Sequence, residues 1–260
     1  MDIQWTSQME EYVKLGLFLL YQEHNTLQEF NNWLNKQMIN FINTLDSKQN
    51  KKTSFEITQP TLSRYLSGKI SISKDRGIMF FMFMNLELET KKILMNRIKE
   101  FSKDNWSSIN TRVILTDVIL LSFIVIKKIL ESDDFSNIDA IITPEADGIP
   151  LGVILAQQLK RKCIYVRKNK RSEDVNFVQV EVQRYRNVVN YYLSLKELPP
   201  NSNVLLVDDI KRSGSTLKHL EELVEKAGSK VVKKMVLINV KGDRDVITEV
   251  DSFLELPPES

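Results

Sequence analysis

The residues with the densest chemistry in this 260-residue chain are Asn203-Val-Leu-Leu-Val-Asp-Asp-Ile-Lys-Arg-Ser-Gly-Ser-Thr-Leu217. An apolar run ends in two adjacent carboxylates, Asp208 and Asp209, and a short loop then opens a helix at about Thr216. Loop N–H groups and the positive end of a helix dipole suit a phosphate. Gly214 lets the backbone approach an anion, Ser213, Ser215 and Thr216 add hydroxyl donors, and Lys211 and Arg212 add cations. Adjacent acids beside such a loop suit sugar hydroxyls or a magnesium-bearing ligand. A second cluster, Thr143-Pro-Glu-Ala-Asp-Gly-Ile-Pro-Leu-Gly152, also follows an apolar run and starts a helix. Here Gly148 permits a tight turn, and Pro150 is preorganised for the first helical turn. Arg167 and Lys168 follow the next apolar run, where they can meet a diphosphate. A third cluster, Ile57-Thr-Gln-Pro-Thr-Leu-Ser-Arg-Tyr-Leu-Ser-Gly-Lys-Ile70, reads as a short helix with Thr58 as N-cap. Leu62 and Leu66 share its inner face; Gln59, Thr61, Ser63 and Arg64 point outward, with Ser67 and Lys69 near its end. Outward polar and cationic groups of this kind contact base edges or phosphate oxygens.

Two kinds of chain must position these clusters. From Met1 to about Glu131 the apolar residues recur three and four apart, the helical period. The pattern predicts helices over Met9–Leu20, Leu27–Leu45 and Gln59–Ser67, the last ended by Gly68. A further helical stretch, capped by Ser73, runs on to Phe101, and Val113–Leu130 reads as one long core helix. Asp46–Ser54 is a polar loop. After about residue 136, short apolar runs alternate with helical pieces. Strands are predicted at Asp139–Thr143, Cys163–Val166, Val175–Val182, Val188–Leu193, Val204–Val207 and Val231–Asn239. Helices are predicted at Pro150–Leu159 and Thr216–Ala227. Such alternation implies a mainly parallel α/β sheet with helices on both faces.

Composition narrows the function classes. With 42% hydrophobic and 27% charged residues the chain is an ordinary globular protein. The single Cys163 excludes a disulfide-stapled fold, and two His with one Cys are too few for a zinc site built from those ligands. Glu10 and Glu11 argue against a signal peptide, and Asp117 with Lys127 and Lys128 against a membrane span at Val113–Leu130. The expected location is cytoplasmic, without membrane contact. A net charge of +2 excludes a uniformly basic surface but not a local one. Between residues 51 and 76 stand Lys51, Lys52, Arg64, Lys69, Lys74 and Arg76 against only Glu56 and Asp75, whereas the first 50 residues are net acidic. The Ile78–Met84 run reads as core or dimer interface, Trp5, Trp33 and Trp106 as packing residues, and His24, His219 and Cys163 as non-catalytic.

The run from Val204 to Leu217 resembles the signature of the phosphoribosyltransferase family: a hydrophobic strand, two acids, two residues, then a small-residue loop with Gly and Thr. The resemblance implies that Asp208 and Asp209 hold ribose hydroxyls and that Arg212, Ser213, Gly214, Ser215 and Thr216 surround a 5′-phosphate. Lys211 and Arg212 stand where the family usually has apolar and small or hydroxyl residues, and these extra cations strengthen phosphate binding without helping transfer. Thr143, Glu145, Ala146, Asp147 and Gly148 resemble the family's pyrophosphate loop, and Arg167-Lys168 its following basic pair. The fold implied is a type I phosphoribosyltransferase-like, mainly parallel α/β sheet flanked by helices over residues 105–260, with magnesium arriving on a phosphoribosyl ligand. Residues 1–104 resemble an all-α, helix-turn-helix-like DNA-binding domain with its reader helix at Thr58–Lys69. The combination resembles purine-operon repressors and archaeal phosphoribosyltransferase-like regulators. It implies a homodimeric, ligand-responsive transcription regulator that binds double-stranded DNA and senses phosphoribosyl diphosphate or a nucleotide, without catalysis. The alternative is an active transferase joining a free base to phosphoribosyl diphosphate. Asp147 repels a diphosphate unless a metal, Arg167 or Lys168 offsets it, and the sequence lacks both a recognisable base-binding hood and a loop acid placed to protonate a purine. These departures favour binding over turnover.

Overall fold

The computed structural model describes residues 6–45, 55–87, 90–101, 111–132, 134–170, 176–184, 187–242, 245–247 and 249–257. The loop expected at 46–54, Trp5 and Trp106 lie outside the described residues. The chain forms two compact units, Met1–Glu89 and Thr90–Ser260.

The first unit is helical: α1 (Ser7–Tyr21), α2 (Leu27–Leu45), α3 (Gln59–Leu66) and α4 (Lys74–Glu87). The Thr6 hydroxyl caps α1 by accepting the Met9 N–H at 3.2 Å. Tyr12, Val13 and Leu17 of α1, Phe30, Leu34 and Met38 of α2, Leu62 of α3, and Phe80 and Phe83 of α4 are all buried. Each such side chain stabilises the unit by roughly 1.5–3 kcal/mol. That tertiary burial is what an eight-residue helix such as α3 needs, since short helices are marginal alone. The half-buried Trp33 ring packs with His24, Phe30 and Phe83.

The helical stretch expected from Ser73 to Phe101 is instead two helices belonging to different units. α4 packs on α1, whereas α5 (Thr90–Phe101) packs on α6 (Arg112–Leu115) and on strand β7 (Asp251–Leu256). Compactness therefore divides the chain at Glu89/Thr90, ahead of the boundary read from the sequence at 104/105. The long helix expected at Val113–Leu130 is also split. Asp117 interrupts it, because its carboxylate accepts the Leu120 N–H at 3.0 Å and so caps α7 (Val118–Leu130) rather than continuing a helix. Leu120, Leu121, Phe123, Ile124, Val125 and Ile126 of α7 are buried. Among the described residues no helix is long and apolar enough to cross a membrane.

The second unit is built on a parallel sheet of order β2-β1-β5-β6-β7. Its strands are β1 (Ala140–Pro144), β2 (Lys162–Val166), β5 (Asn203–Lys211), β6 (Lys230–Val240) and β7. Sheets of this kind are covered on both faces, which is why β1 and β5 read as continuous apolar runs. One face carries Ala140, Ile142, Ile164, Val204, Leu206 and Val236, packed against Leu217, Leu220, Leu223 and Val224 of α9 (Ser215–Lys226). The antiparallel pair β3 (Phe177–Arg184) and β4 (Asn187–Ser194) joins that face through Val180, Val182, Tyr191 and Leu193, forming a separate two-stranded sheet. On the opposite face α8 (Ile149–Leu159) packs against β1, β2 and β5. The sequence pattern did not reveal β7, a six-residue strand at the end of the sheet that pairs with β6.

Candidate functional site

The sheet order brings the family-like motifs to one edge. β1 pairs with β2 on one side, up to Pro144 opposite Val166, and with β5 on the other, with Ile142 opposite Leu206. The carboxyl ends of three adjacent parallel strands therefore deliver the 143–148 loop, Arg167 and the 208–216 segment to a common crevice, the usual ligand position of an open α/β sheet. A cleft of about 640 Å³ lies there, lined by residues 208–217. Its volume falls within the range of small-molecule sites.

β5 carries the acid pair near its carboxyl end. Asp208 is buried, and its Oδ1 accepts the Asp209 N–H at 2.9 Å. Asp209 is half-buried, and its Oδ2 accepts a 2.6 Å hydrogen bond from the Thr111 hydroxyl. Arg212 is exposed, Ser213, Ser215 and Thr216 are half-buried, and α9 begins at Ser215. Gly214 sits at φ +80°, and a Cβ there would lie 3.1 Å from Ile247. A left-handed residue against a packed neighbour needs glycine. The turn aims the first N–H groups of a twelve-residue helix at the cleft.

Lys211 lines the same cleft and already has a partner within the protein. It is the last residue of β5 and only 2% exposed, and its ammonium is engaged by Asp245 at 2.6 Å. A bare ammonium at that depth would be strongly unfavourable, so the carboxylate accounts for its burial. The same segment braces the loop at two more points: the Val246 N–H donates to the Ser213 carbonyl at 2.9 Å, and Ile247 packs on Gly214. Sequence reasoning missed Asp245. The available signal was a lysine at the end of a largely apolar strand, where burial of the ammonium calls for a nearby acid.

In the 143–148 loop, Thr143 is fully buried while Glu145, Ala146 and Asp147 are exposed. The Glu145–Ala146 peptide is cis. Gly148 starts α8 where nothing larger fits: a Cβ would run into the Thr143 hydroxyl and lie 3.2 Å from Asp208 Oδ1. The cation that meets Asp147 is neither Arg167 nor Lys168. It is Arg112, whose Nε stands 3.2 Å from Asp147 Oδ1. The Arg167 guanidinium lies over the Tyr165 ring, 5.1 Å from its centroid, and the Arg167 and Tyr192 backbones exchange hydrogen bonds. Lys168 is exposed, and Lys170 rests on Phe177 at 4.2 Å. Among the described residues no group of three acids, His or Cys could hold a metal by itself. Burial pushes the Cys163 thiol up to about 11, in keeping with an inert strand residue.

The third cluster lies in the other unit and is described by itself. In α3, Leu62 and Tyr65 are buried, while Thr58, Ser63, Arg64, Ser67 and Lys69 are exposed and Gln59 and Thr61 half-buried. Thr58 has the extended backbone of an N-cap, but its hydroxyl lies 2.9 Å from the Thr61 hydroxyl and makes no capping bond to the helix backbone. The Lys69 N–H closes the helix on the Arg64 carbonyl at 2.9 Å, with Gly68 left-handed at φ +68°. Asn35 of α2 fixes the entry to α3 by accepting the Ile57 N–H at 2.9 Å and donating to its carbonyl at 3.0 Å.

Comparison with known proteins covers the second unit. The family described as "Phosphoribosyl transferase domain" matches residues 113–258. An adenine phosphoribosyltransferase of Malacoplasma penetrans is 30% identical over 148 residues, covering 56% of this chain and 83% of the relative. One of Mycoplasmoides gallisepticum is 32% identical over 155 residues, covering 59% of this chain and 85% of the relative. The crystal structure of adenine phosphoribosyltransferase from Rhodothermus marinus superposes with a TM-score of 0.54 at 23% identity, over 64% of this chain and 98% of that one, a likeness of fold. The matched segment is more than half of the chain and includes the 143–148 loop, Arg167 and the 208–217 segment, so the chain belongs to the phosphoribosyltransferase family.

Proposed function

We propose that the protein is a DNA-binding transcription regulator whose phosphoribosyltransferase domain senses phosphoribosyl diphosphate or a nucleotide and performs no transfer. In this reading the ligand's 5′-phosphate sits on Arg212, Ser213, Gly214, Ser215 and Thr216, and its ribose hydroxyls bond Asp208 and Asp209. Magnesium would enter on the ligand's own phosphate oxygens: the acid pair suits hydroxyls, and the described residues supply no three-ligand metal group. The pyrophosphate loop, with Arg167 and Lys168 beside it, contributes binding and no chemistry. The observation that carries the reading is α3, a helix anchored by Leu62 and Tyr65 that exposes Ser63 and Arg64, with Ser67 and Lys69 exposed in the turn that follows. These residues, with Thr58, Gln59 and Thr61, would contact double-stranded DNA. One such face is small, so the active form would be a homodimer reading two half-sites about one helical turn apart.

The identities with adenine phosphoribosyltransferases favour a second reading, an active enzyme that makes a nucleotide from a free base. Two measurements separate the readings. The first is pyrophosphate release from phosphoribosyl diphosphate with magnesium and each common base. The second is binding to the promoter DNA of its own gene, with and without nucleotides. Regulation predicts affinity that falls steeply with salt, a slope shallower by about one for each of Arg64→Ala and Lys69→Ala, and ligand-dependent DNA binding. Turnover of about 1–1000 per second without DNA binding would overturn it in favour of the enzyme.

A further inference from the structure

Thr111 and Arg112 are consecutive residues, and each reaches a different acid of the crevice. The Thr111 hydroxyl donates to Asp209 Oδ2 at 2.6 Å, and Arg112 Nε lies 3.2 Å from Asp147 Oδ1. Asp209 stands near the carboxyl end of β5 and Asp147 follows β1, so one turn of chain is tied to both segments that would grip opposite ends of a phosphoribosyl diphosphate. Thr111 is only 5% exposed, so its hydroxyl is held at the carboxylate by the surrounding packing. A hydroxyl donating to a carboxylate at this distance has the same hydrogen-bonding chemistry as a ribose hydroxyl donating to that acid.

We propose that Thr111 is an internal mimic of the ribose: its hydroxyl and a ligand hydroxyl compete for Asp209, so the start of α6 sets the affinity of the site for phosphoribosyl ligands. The inference rests on the reading of Asp208 and Asp209 as ribose-binding acids. It assigns a role to a residue that lies outside both signature motifs and outside the segment matched to the family. Arg112 gives the displacement a second anchor, since a diphosphate entering the 143–148 loop would meet the same turn.

The full-length chain is titrated by calorimetry with ribose 5-phosphate and, separately, with inorganic phosphate. Thr111→Val keeps the side-chain shape and removes the donor. Breaking one hydrogen bond to a charged acceptor should tighten ribose 5-phosphate binding about tenfold. Inorganic phosphate, which needs only the 212–216 loop, should bind with unchanged affinity. Thr111→Ser retains the hydroxyl and should bind ribose 5-phosphate as the parent chain does. If Thr111 instead only positions Asp209, Thr111→Val weakens ribose 5-phosphate, and that result overturns the proposal, as does an unchanged affinity. Should Thr111→Val fail to fold, Thr111→Ala provides the same comparison of sign. If the parent chain binds inorganic phosphate but neither parent nor variant binds ribose 5-phosphate, the ribose-site reading itself is wrong and the proposal falls with it.

Discussion

The pair Lys211–Asp245 allows a quantitative test of how the phosphate loop is supported. Its N–O distance is 2.6 Å, with the two side chains 1% and 16% exposed. Removing one partner of a buried pair leaves an uncompensated charge and costs about 3–5 kcal/mol. Asp245→Ala should therefore lower the urea midpoint of the second unit by about 1.5–2.5 M, taking a slope near 2 kcal/mol/M. The control is Lys241→Ala, which breaks a 2.9 Å pair whose side chains are 60% and 51% exposed. Such a surface pair contributes about 0–1 kcal/mol. Replacing both members of the buried pair by apolar residues of similar volume, Lys211→Met with Asp245→Leu, should recover most of the loss, because desolvation of the two charges disappears together. The double variant also separates the two roles open to Lys211. As a buttress beneath the loop, its replacement leaves inorganic phosphate affinity near that of the parent. As a phosphate ligand, the role read from the sequence, its replacement weakens phosphate about tenfold or more. The reasoning fails if Asp245→Ala shifts the midpoint no further than Lys241→Ala.

Other outcomes follow from single residues. Gly214→Ala forces a Cβ into a left-handed turn 3.1 Å from Ile247, so it should destabilise the second unit by about 1–2 kcal/mol and weaken phosphate binding in a titration. Burial raises the Cys163 thiol to about 11, so at pH 8 its reaction with a thiol reagent should be on the order of a hundredfold slower than that of free cysteine, and denaturant should abolish the difference. Burial pushes the Glu10 carboxyl up, but hydrogen bonds from the Lys14 ammonium and the Ile72 N–H outweigh it and hold the group below its ordinary value. That stabilisation is present above the ordinary carboxylate range and is lost as pH falls through the lower folded value. Glu10→Gln should accordingly cost on the order of 1 kcal/mol at neutral pH and progressively less in acid, as measured by denaturant midpoints across pH.

Local order along the chain already determined much of this molecule. The acid pair, the Gly214 turn and the start of α9 are contiguous, so strand, loop and helix could be read together from one run of residues. The alternation of apolar runs with helical pieces likewise gave a parallel sheet covered on both faces, since only a doubly covered strand is apolar throughout. Helix ends were less legible. Asp117 can either be carried within a helix or cap a new one, and what decides is whether its carboxylate meets the Leu120 N–H, a matter of local geometry rather than of apolar period. The division between α4 and α5 depended on which neighbours each helix packs against, information that a helical period does not contain.

The electrostatics of the crevice were decided by the tertiary structure alone. Lys211 reads in sequence as a phosphate ligand, and only the fold shows that its ammonium already meets Asp245, thirty-four residues later. Asp147 reads as unmatched, until Arg112 is brought to it from a segment thirty-five residues earlier. Thr111, distant in sequence from both motifs, reaches Asp209 across a separation of ninety-eight residues. Backbone geometry follows from near neighbours, whereas the partner of a charge is whatever the fold brings within about 4 Å, where the interaction and the cost of desolvation are both largest. The sequence therefore determined which groups converge at the ends of β1, β2 and β5, and the tertiary structure decided which of their charges already have partners within the protein.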